Sequence, residues 1–499
     1  MTDSTAATVE ELSAKLTALE LDVDTAWLVI TGGTVFFMQA GFSMLEAGCV
    51  SSKNVINILF KNIMDGAIAA VCFWLIGYGI GFGDTAGGFI GTSNFGLSDY
   101  YAECAEGMEG VLCGRRGYAH WFFQWAFAGT AATIVSGSVA ERTKFEAYLM
   151  FSAICSIVIY PVVVHWVWGH GWLSSHAMPD DEGFHPILKG NSDSNGMLDF
   201  GGSGVVHMLG GCSGLMGAIA VGPRRFRFDE ERKPRPMPPH NSSMMALGAT
   251  ILWFGWYSFN CGSTLSISHN KAVVAGKVAI NTTIAGATGA LVATIISRIF
   301  EKTFDIGIAI NGLLAGMVAI TAGCAIVETW AAFLIGVAAP FVYYGAHLLL
   351  LRFGVDDPLD AFPIHGCGGA FGVLAAGIFC QDELVDWAGY PHTNKACQSG
   401  EQFAVQLIGV LIITIWSLVM AGGTFFMLKA VIGLRVPEEI EDEGLDRSEH
   451  GGMAYFDNMP KGNQVTPFVS EPAGTSLSAV PTSAPTTASN ANGWTGVPP

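Results

Sequence analysis

Two histidines in glycine-rich, apolar surroundings are the side chains of this chain best placed to do chemistry. His207 lies in the stretch DFGGSGVVHMLGG (199–211), eight residues after Asp199. His365 begins the related stretch HGCGGAFGVLA, and each histidine is followed three residues later by a Gly-Gly pair. Polar side chains at membrane depth are costly and usually face the interior of a helix bundle. The two histidines therefore predict one shared polar site inside a membrane.

Paired imidazoles suit the passage of a small polar molecule. Each neutral ring offers one hydrogen-bond donor and one acceptor, and it does not trap a cation as a carboxylate would. A metal ion would need a further ligand beside two imidazoles. Asp199 lies about 12 Å from His207 along a helix, which is too far to join. We predict a pore lined by His207 and His365, with no metal ion and no cofactor.

The composition is that of an integral membrane protein. Hydrophobic residues make up 51% of the chain and charged residues 13%, whereas soluble chains carry about 25% charged residues. The 63 glycines suit close contacts between membrane helices. We expect the lipid bilayer as the surroundings of this chain, and nothing in the net charge of −18 points to a nucleic-acid partner.

Apolar stretches predict an all-α polytopic membrane protein with eleven transmembrane helices, because a span needs roughly 20 apolar residues. The predicted spans are 25–48, 61–83, 119–140, 145–168, 199–222, 242–262, 272–299, 305–325, 328–352, 363–380 and 402–433.

Histidines at matching positions indicate an internal repeat. His207 lies in the fifth predicted span and His365 in the tenth, so each belongs to one half of five spans. Five is an odd number, so the halves have opposite orientations, which places a site near the midplane. We predict two five-helix halves as an inverted repeat plus an eleventh helix. An aspartate precedes each histidine: Asp199 in the first half, and in the second Asp357 or Asp360, the latter taken as a supporting residue.

Basic residues predict the orientation. The connection 223–240 carries six Lys or Arg residues, which favours the cytoplasmic side. The N-terminus is then outside and the C-terminus is cytoplasmic. The predicted domains are an extracellular segment (1–24), an eleven-helix domain (25–433), a cytoplasmic regulatory segment (434–456) and a disordered Pro/Ser/Thr-rich tail (457–499).

Four cysteines fall on or near the predicted outer face, namely Cys104, Cys113, Cys380 and Cys397. Pairs 104–113 and 380–397 could close short disulfides in an oxidising compartment. Sequence alone does not determine the pairing.

Motifs in order along the chain resemble those of a known family. The chain is similar to the ammonium transporters of the Amt/Mep/Rh superfamily in FQWAFAGTAATIVSGSVAER (123–142), HWVWGHGWL (165–173), DFGGSGVVH (199–207), GWYSFNCGS (255–263) and DAFPIHGCGG (360–369). It resembles the plant and algal subfamily in GFSMLEAG (41–48), KNVINILFKNIMDG (53–66) and GLDRSEHGGMAY (444–455).

The resemblance implies an outer site that recruits ammonium, with a gate beneath it. Trp168 and Ser263 correspond to the recruitment site, and Phe127 and Phe259 correspond to a stacked gate of which Phe127 also contacts the substrate. A cation over an indole face gains about 0.5–2 kcal/mol, and a serine hydroxyl accepts a hydrogen bond from N–H. The physics of these side chains agrees with the roles that the resemblance implies.

The resemblance also implies roles for the pore residues and the assembly. His207 and His365 correspond to paired pore histidines, and Asp199 to a carboxylate beneath the recruitment site. Aspartate at that position also suits a helix N-cap or the orientation of a loop. The implied assembly is a homotrimer with one pore per subunit.

The implied function is specific uptake of ammonium and methylammonium, with no enzymatic activity. Ammonium binds outside, deprotonates near the gate and passes the histidines as ammonia, with a coupled proton that makes uptake electrogenic. The acidic outer face and the candidate disulfides lead us to expect the plasma membrane as its location.

The segment GLDRSEHGGMAY resembles a regulatory C-terminus that packs against the neighbouring subunit and holds pores open. Where the family places a phosphorylatable threonine, this chain has Ser448. A phosphate adds about −1.5 to −2 charge beside residues that are already acidic. The resemblance therefore implies a regulatory kinase that closes the pores through Ser448.

Three other functions fit parts of the sequence. A channel for water, urea or carbon dioxide would also use an apolar pore, but it would not need the cation site. A sensor built on transport machinery would use the long C-terminal tail. A membrane metalloenzyme would use the histidines as ligands, which metal analysis would reveal.

Overall fold

A computed structural model of the chain describes residues 2–98, 115–175, 196–390 and 396–455. The described residues up to Ala454 form one compact unit. The protein is an all-α polytopic membrane protein, as predicted. Its long helices are α1 (Thr2–Cys49), α2 (Val55–Phe82), α3 (Arg115–Ser138), α4 (Phe145–Val167), α5 (Ser203–Val221), α6 (Ser242–Gly262), α7 (Lys271–Phe300), α8 (Ile306–Thr321), α9 (Thr329–Phe353), α10 (Phe362–Phe379) and α11 (Glu401–Val431).

Short elements complete the described chain. Two-residue strands, β1 (Thr85–Ala86) and β2 (Ile90–Gly91), pair antiparallel, with Thr85 opposite Gly91. The helices α12 (Glu438–Glu443) and α13 (Leu445–His450) follow α11. The remaining short helices are Phe95–Leu97, Asp382–Ala388 and Ala396–Ser399.

Each predicted span overlaps one of the long helices. Among the described residues, eight helices are long and apolar enough to cross a membrane, and α8 is a shorter apolar helix. The helices α3 and α6 are long but less apolar, so the count of eleven transmembrane helices stays a prediction. The helix α1 begins at Thr2, well before the predicted span at residue 25, so much of the predicted N-terminal segment is helical.

Helices α5 and α10 touch at their backbones. A Cβ added at Gly211 would lie 2.1 Å from the nitrogen of Gly366, and one at Gly369 would lie 2.4 Å from the carbonyl oxygen of Ser203. Gly211 and Gly369 belong to the Gly-Gly pairs that follow the two histidines. Small residues let membrane helices approach closely, so these pairs bring the two histidine-bearing helices together.

Both of these helices begin with a π-helical turn that contains the histidine. The turns are Ser203–Met208 and Phe362–Cys367. A π-turn interrupts the regular ladder of hydrogen bonds and often occurs at functional sites. The matching position of the turns in α5 and α10 agrees with an inverted repeat.

An ion network joins three connections at the end of the bundle that carries 223–240, here called the basic end. Arg224 donates from Nε to Asp356 over 2.8 Å and from a terminal nitrogen to Glu141. The three side chains are between 1% and 10% exposed. The ion pairs of this network are therefore largely buried from water.

Arg224 keeps the two carboxylates of this network ionised. Burial alone would raise the pKa of Glu141, but Arg224 and donors from Ser51 outweigh it and hold that pKa at about 2, below its ordinary 4.5. Burial likewise opposes ionisation of Asp356, yet Arg224 and Arg142 hold its pKa well below 3.8. A depressed carboxylate pKa adds stability above the unfolded pKa, and this stability is lost as pH falls through the folded pKa.

Arg224→Met should destabilise the protein by about 3–5 kcal/mol at neutral pH, because two buried carboxylates lose their cation. Thermal unfolding in detergent, followed by tryptophan fluorescence, measures the change. Wild-type stability should also fall as pH drops from about 4.5 towards about 2.

Arg225→Met is the matched control for this prediction. Arg225 pairs with Glu438, whose side chain is 75% exposed, so its loss should change stability by only about 0–1 kcal/mol. Equal destabilisation by the two substitutions would contradict a special role for the buried network.

Candidate functional site

A cavity of about 410 Å³ opens at the end opposite the basic end. Its lining includes Trp168, Ser263, Phe127 and Asp199. These residues come from four different parts of the chain. The structure thus brings together all four residues that the sequence assigned to substrate binding.

Trp168 and Ser263 are held at the ends of two helices. The indole Nε1 of Trp168 donates to the carbonyl oxygen of Asp199 over 2.8 Å, which orients the ring. Beside it, Gly202 has a φ of +101°, a left-handed conformation that favours glycine. Ser263 Oγ donates to the carbonyl oxygen of Phe259 over 2.8 Å, so the hydroxyl oxygen can accept. The cavity therefore presents an aromatic ring and a hydroxyl acceptor.

Two stacked phenylalanines separate this cavity from the histidines. The ring centroids of Phe127 and Phe259 lie 4.1 Å apart, with 25° between the planes. Phe127 also contacts Trp168 edge to face at 6.1 Å. Both phenylalanines are buried, so the pair forms a barrier that must move before a solute can pass.

The two histidines stack directly behind the gate. His207 lies 5.4 Å from the ring of Phe259 and 5.2 Å from the ring of His365, with 17° between the imidazoles. Their Nδ1 atoms are 3.2 Å apart, so one ring donates and the other accepts. Within the described chain, His207 Nε2 has no hydrogen-bond partner. The two histidines thus lie in contact in one buried polar site, in which one ring nitrogen is unused.

Two aromatic residues that sequence reasoning missed support this arrangement. Trp256 stacks on His207, with ring centroids 5.0 Å apart, and its Nε1 donates to Thr321 over 2.9 Å. Phe123 packs on Phe127 at 4.7 Å and lines the cavity. Phe123 precedes Phe127 by four residues, and Trp256 precedes Phe259 by three, so helical spacing would have placed them on the faces of the known gate residues.

Asp199 is committed to backbone amides. It is 1% exposed, and its carboxylate accepts from Gly202 N over 3.1 Å, Gly204 N over 2.9 Å and Val205 N over 2.9 Å. The N-cap of α5 is Gly202, and Asp199, three residues before it, accepts from the first-turn amides that a helix leaves without partners. Asp199 therefore holds the first turn of α5, the turn that carries His207.

Asp357 plays the part of Asp199 at the start of α10. Its Oδ2 accepts from Phe362 N over 2.8 Å at the start of α10, and it precedes His365 by eight residues as Asp199 precedes His207. Asp360 instead bonds His347 Nδ1 over 2.6 Å. Of the two candidates left open by the sequence, Asp357 is the one that matches Asp199 in geometry.

The C-terminal segment packs on its own chain. Asp446 Oδ1 accepts from Asn57 N over 2.9 Å at the start of α2, and Lys53 Nζ donates to the Asp442 carbonyl over 2.7 Å. Ser448 Oγ donates to the Gly444 carbonyl over 2.9 Å within α13. The segment that the resemblance places against a neighbouring subunit thus has intramolecular contacts as well.

The cysteines are only partly described. Cys380 and Cys397 are joined by a disulfide, whereas Cys104 and Cys113 lie outside the described residues. No group of three or more His, Cys, Asp or Glu is placed to hold a metal ion in the part of the chain that the structure describes.

Comparisons with known proteins place this geometry in a family. The model of the Ammonium Transporter Family matches residues 26–455. The chain is 41% identical to ammonium transporter Amt2 of Archaeoglobus fulgidus, covering 87% of this chain and 89% of that protein. It is 38% identical to ammonium transporter 1 member 3 of Solanum lycopersicum, covering 88% and 95%.

Solved structures agree in fold. A Sensor Amt Protein is similar with a TM-score of 0.75 and 33% identity, covering 86% of this chain and 99% of that one. Candida albicans Mep2 is similar with a TM-score of 0.70 and 25% identity, covering 84% and 87%. The relatives are named as transporters, so the chain is a multi-pass membrane transport protein and not an enzyme. It belongs to the ammonium transporter family, within the Amt/Mep/Rh superfamily and its plant-type subfamily.

Proposed function

We propose that the protein takes up ammonium by recruiting the cation, removing its proton and passing ammonia through the histidine pair. Ammonium transport itself follows from the family. One observation carries the mechanism: Trp168, the pair Phe127 and Phe259, and the histidines form consecutive contacts from the cavity inwards.

The cost of dehydration explains why the proton must leave. A bare ammonium ion in low dielectric has a Born cost of order 20 kcal/mol before compensation. Neutral ammonia loses only ordinary hydrogen bonds, about 1 kcal/mol each in net terms. Sodium and potassium ions cannot shed a proton, so a dry passage with two imidazoles selects ammonia.

The residues of the cavity suit recruitment of a cation. The indole face of Trp168 attracts ammonium or methylammonium, and Ser263 accepts one N–H. Asp199 lines the cavity and contributes negative potential from beneath, while its carboxylate accepts from the first turn of α5. Released at the gate, the proton follows a coupled route and makes uptake electrogenic, at about 2.3 kcal/mol per charge per 100 mV.

Orientation, location and assembly belong to the same proposal. The basic end lies in the cytoplasm, which puts the cavity and the disulfide of Cys380 and Cys397 outside. We place the protein in the plasma membrane as a homotrimer with one pore per subunit. The predicted domain boundaries belong to this proposal as well, and the predicted tail (457–499) lies outside the described residues.

Sensing is a second candidate function. One solved structure similar to this chain is described as a Sensor Amt Protein, and the C-terminal segment is packed on α2. A transport-dead variant that still signals would favour this function over uptake.

His207→Ala or His365→Ala should reduce the inward ammonium current at least about tenfold, because a buried donor–acceptor pair worth at least 1–3 kcal/mol is lost from the passage. Two-electrode recording with ammonium and methylammonium at several pH values measures it. His269→Ala is the control, because His269 is exposed. If both pore variants kept wild-type current and selectivity, passage of ammonia past the histidine pair would be excluded.

Trp168→Leu should weaken apparent ammonium affinity by about 2–30-fold, the equivalent of 0.5–2 kcal/mol of cation–π attraction. Current as a function of ammonium concentration measures the change. Trp330→Leu is the matched control, because Trp330 is 56% exposed on α9. An unchanged concentration dependence in Trp168→Leu would exclude recruitment by the indole.

Ser448→Asp should silence the current, whereas Ser448→Ala should stay active, because added negative charge beside Asp446 and Glu449 repels the docked segment. Currents are compared at equal surface expression. Ser448→Asn is the control for size without charge and should resemble Ser448→Ala. Equal currents from all three variants would remove Ser448 and its kinase from the mechanism.

A further inference from the structure

Three ionisable side chains lie buried in the bundle where the transport mechanism does not use them. Glu46 on α1 is 2% exposed, and Lys61 and Asp65 on α2 are fully buried. Ionisable groups inside membrane helices are costly, and they mark sites where protons or ions are handled. None of them takes part in the contacts of His207 with His365.

The polar residues of α2 form a ladder that leads inwards from the basic end. Asn57, Lys61 and Asp65 stand at four-residue intervals, so they share one helix face with about 6 Å between steps. Asp65 accepts from Tyr148 over 2.5 Å and from Ser152 over 2.7 Å. The ladder thus extends about 12 Å into the bundle.

Glu46 joins the ladder through its neighbours. Its Oε2 accepts from Asn62 Nδ2 over 2.9 Å and from Ser136 Oγ over 3.0 Å. Both donors reach the same oxygen, so Oε1 is the atom on which a proton can be held.

The ammonium group of Lys61 lacks hydrogen-bond acceptors in the part of the chain that the structure describes. Among the described residues its Nζ finds no acceptor, and it lies 5.3 Å from the ring centroid of Tyr148. An ammonium group has three donors, and a buried one is normally paired or hydrated. Water molecules beside Lys61 would supply the acceptors that its ammonium group lacks among these residues.

The charges of the cluster do not balance without a further proton. Two carboxylates and one ammonium leave one net negative charge, which is expensive in a low dielectric. Other titratable groups that influence the cluster come from α1, from the turn after α3, from α4 and from α13: Cys49, Arg142, Tyr148, Cys155, Glu449 and His450.

We propose that Glu46, Lys61 and Asp65 form a proton-binding site inside the membrane, separate from the histidine pair, that holds one exchangeable proton on Glu46. A hydronium ion in cytoplasmic water transfers the proton to the Glu46 carboxylate: one O–H bond of the hydronium ion breaks, one O–H bond forms on the carboxyl group, and a neutral water molecule is released. The proposal requires the basic end to be cytoplasmic, but it does not require ammonia to pass the histidines.

The C-terminal segment covers the approach to this site. Asn57, the first step of the ladder, donates to Glu449 Oε2 over 3.0 Å and lies 2.9 Å from His450 Nε2. The His450 ring also packs against Phe60 and Phe145. The Lys61 ammonium attracts the Glu449 carboxylate and so favours docking of the segment over the site.

Infrared spectroscopy of the full-length protein in lipid tests the site directly, through the absorption of a protonated buried carboxyl. The wild type should show one such band. Glu46→Gln and Asp65→Asn should each abolish it, because Lys61 then balances the one remaining carboxylate. Lys61→Met should double it, because both carboxyls must then be neutral.

Two controls separate this proposal from the transport mechanism. Glu328→Gln removes a carboxyl that is half exposed and should leave the band unchanged. His207→Ala should also keep it, whatever its effect on current. The proposed site would be overturned by any of three results. The wild type could lack the band, the band could survive Glu46→Gln or Asp65→Asn, or Lys61→Met could leave its intensity unchanged.

Hydrogen–deuterium exchange of the Glu46 carboxyl tests whether the C-terminal segment covers the approach to the site. The band should shift several-fold faster in Asp446→Asn than in the wild type, because Asp446 anchors the segment to α2. Equal exchange rates in the two proteins would show that the proton does not reach Glu46 by a path beneath α13.

Discussion

Backbone contact between α5 and α10 is the constraint on which the pore depends. Gly211 of α5 lies against backbone atoms of α10, and Gly369 of α10 lies against backbone atoms of α5. Any side chain there would push the helices apart, and the 3.2 Å contact between the imidazoles would be lost. The gate would be affected as well, because Phe259 packs on His207. The contact between the two histidines therefore requires that residues 211 and 369 have no Cβ atom.

Much of this arrangement is predictable from the chain alone. Long apolar stretches predict the helices, and polar side chains in such stretches point to a shared interior, so the meeting of His207 with His365 was expected. Motif resemblance was needed for Phe127 and Phe259, because a chain with 32 phenylalanines offers no other reason to choose them.

Other features depend on tertiary contacts that local sequence does not encode. The cap that Asp446 provides for α2 joins residues 389 positions apart, so no spacing rule reveals it. Lys61 was missed as an interior residue because the second span was predicted to begin there. In the structure α2 begins at Val55, more than one turn earlier, which moves Lys61 from the flank of the helix into its body.

Buried charge is handled in two ways in this molecule. At the basic end, Arg224 faces Glu141 and Asp356 in direct contact, so attraction offsets the loss of water. Inside the bundle, Glu46 and Asp65 are supplied with neutral donors from Asn62, Ser136, Tyr148 and Ser152, a different solution that leaves their protonation open to change.

The contact between the two imidazole Nδ1 atoms gives the pore a direction. Only one of these nitrogens carries a hydrogen, so either His207 donates to His365 or the reverse. The pair is then a dipole with two orientations along the passage. Any proton relayed through both rings leaves that dipole reversed, and the tautomers must turn back before a second proton can move the same way.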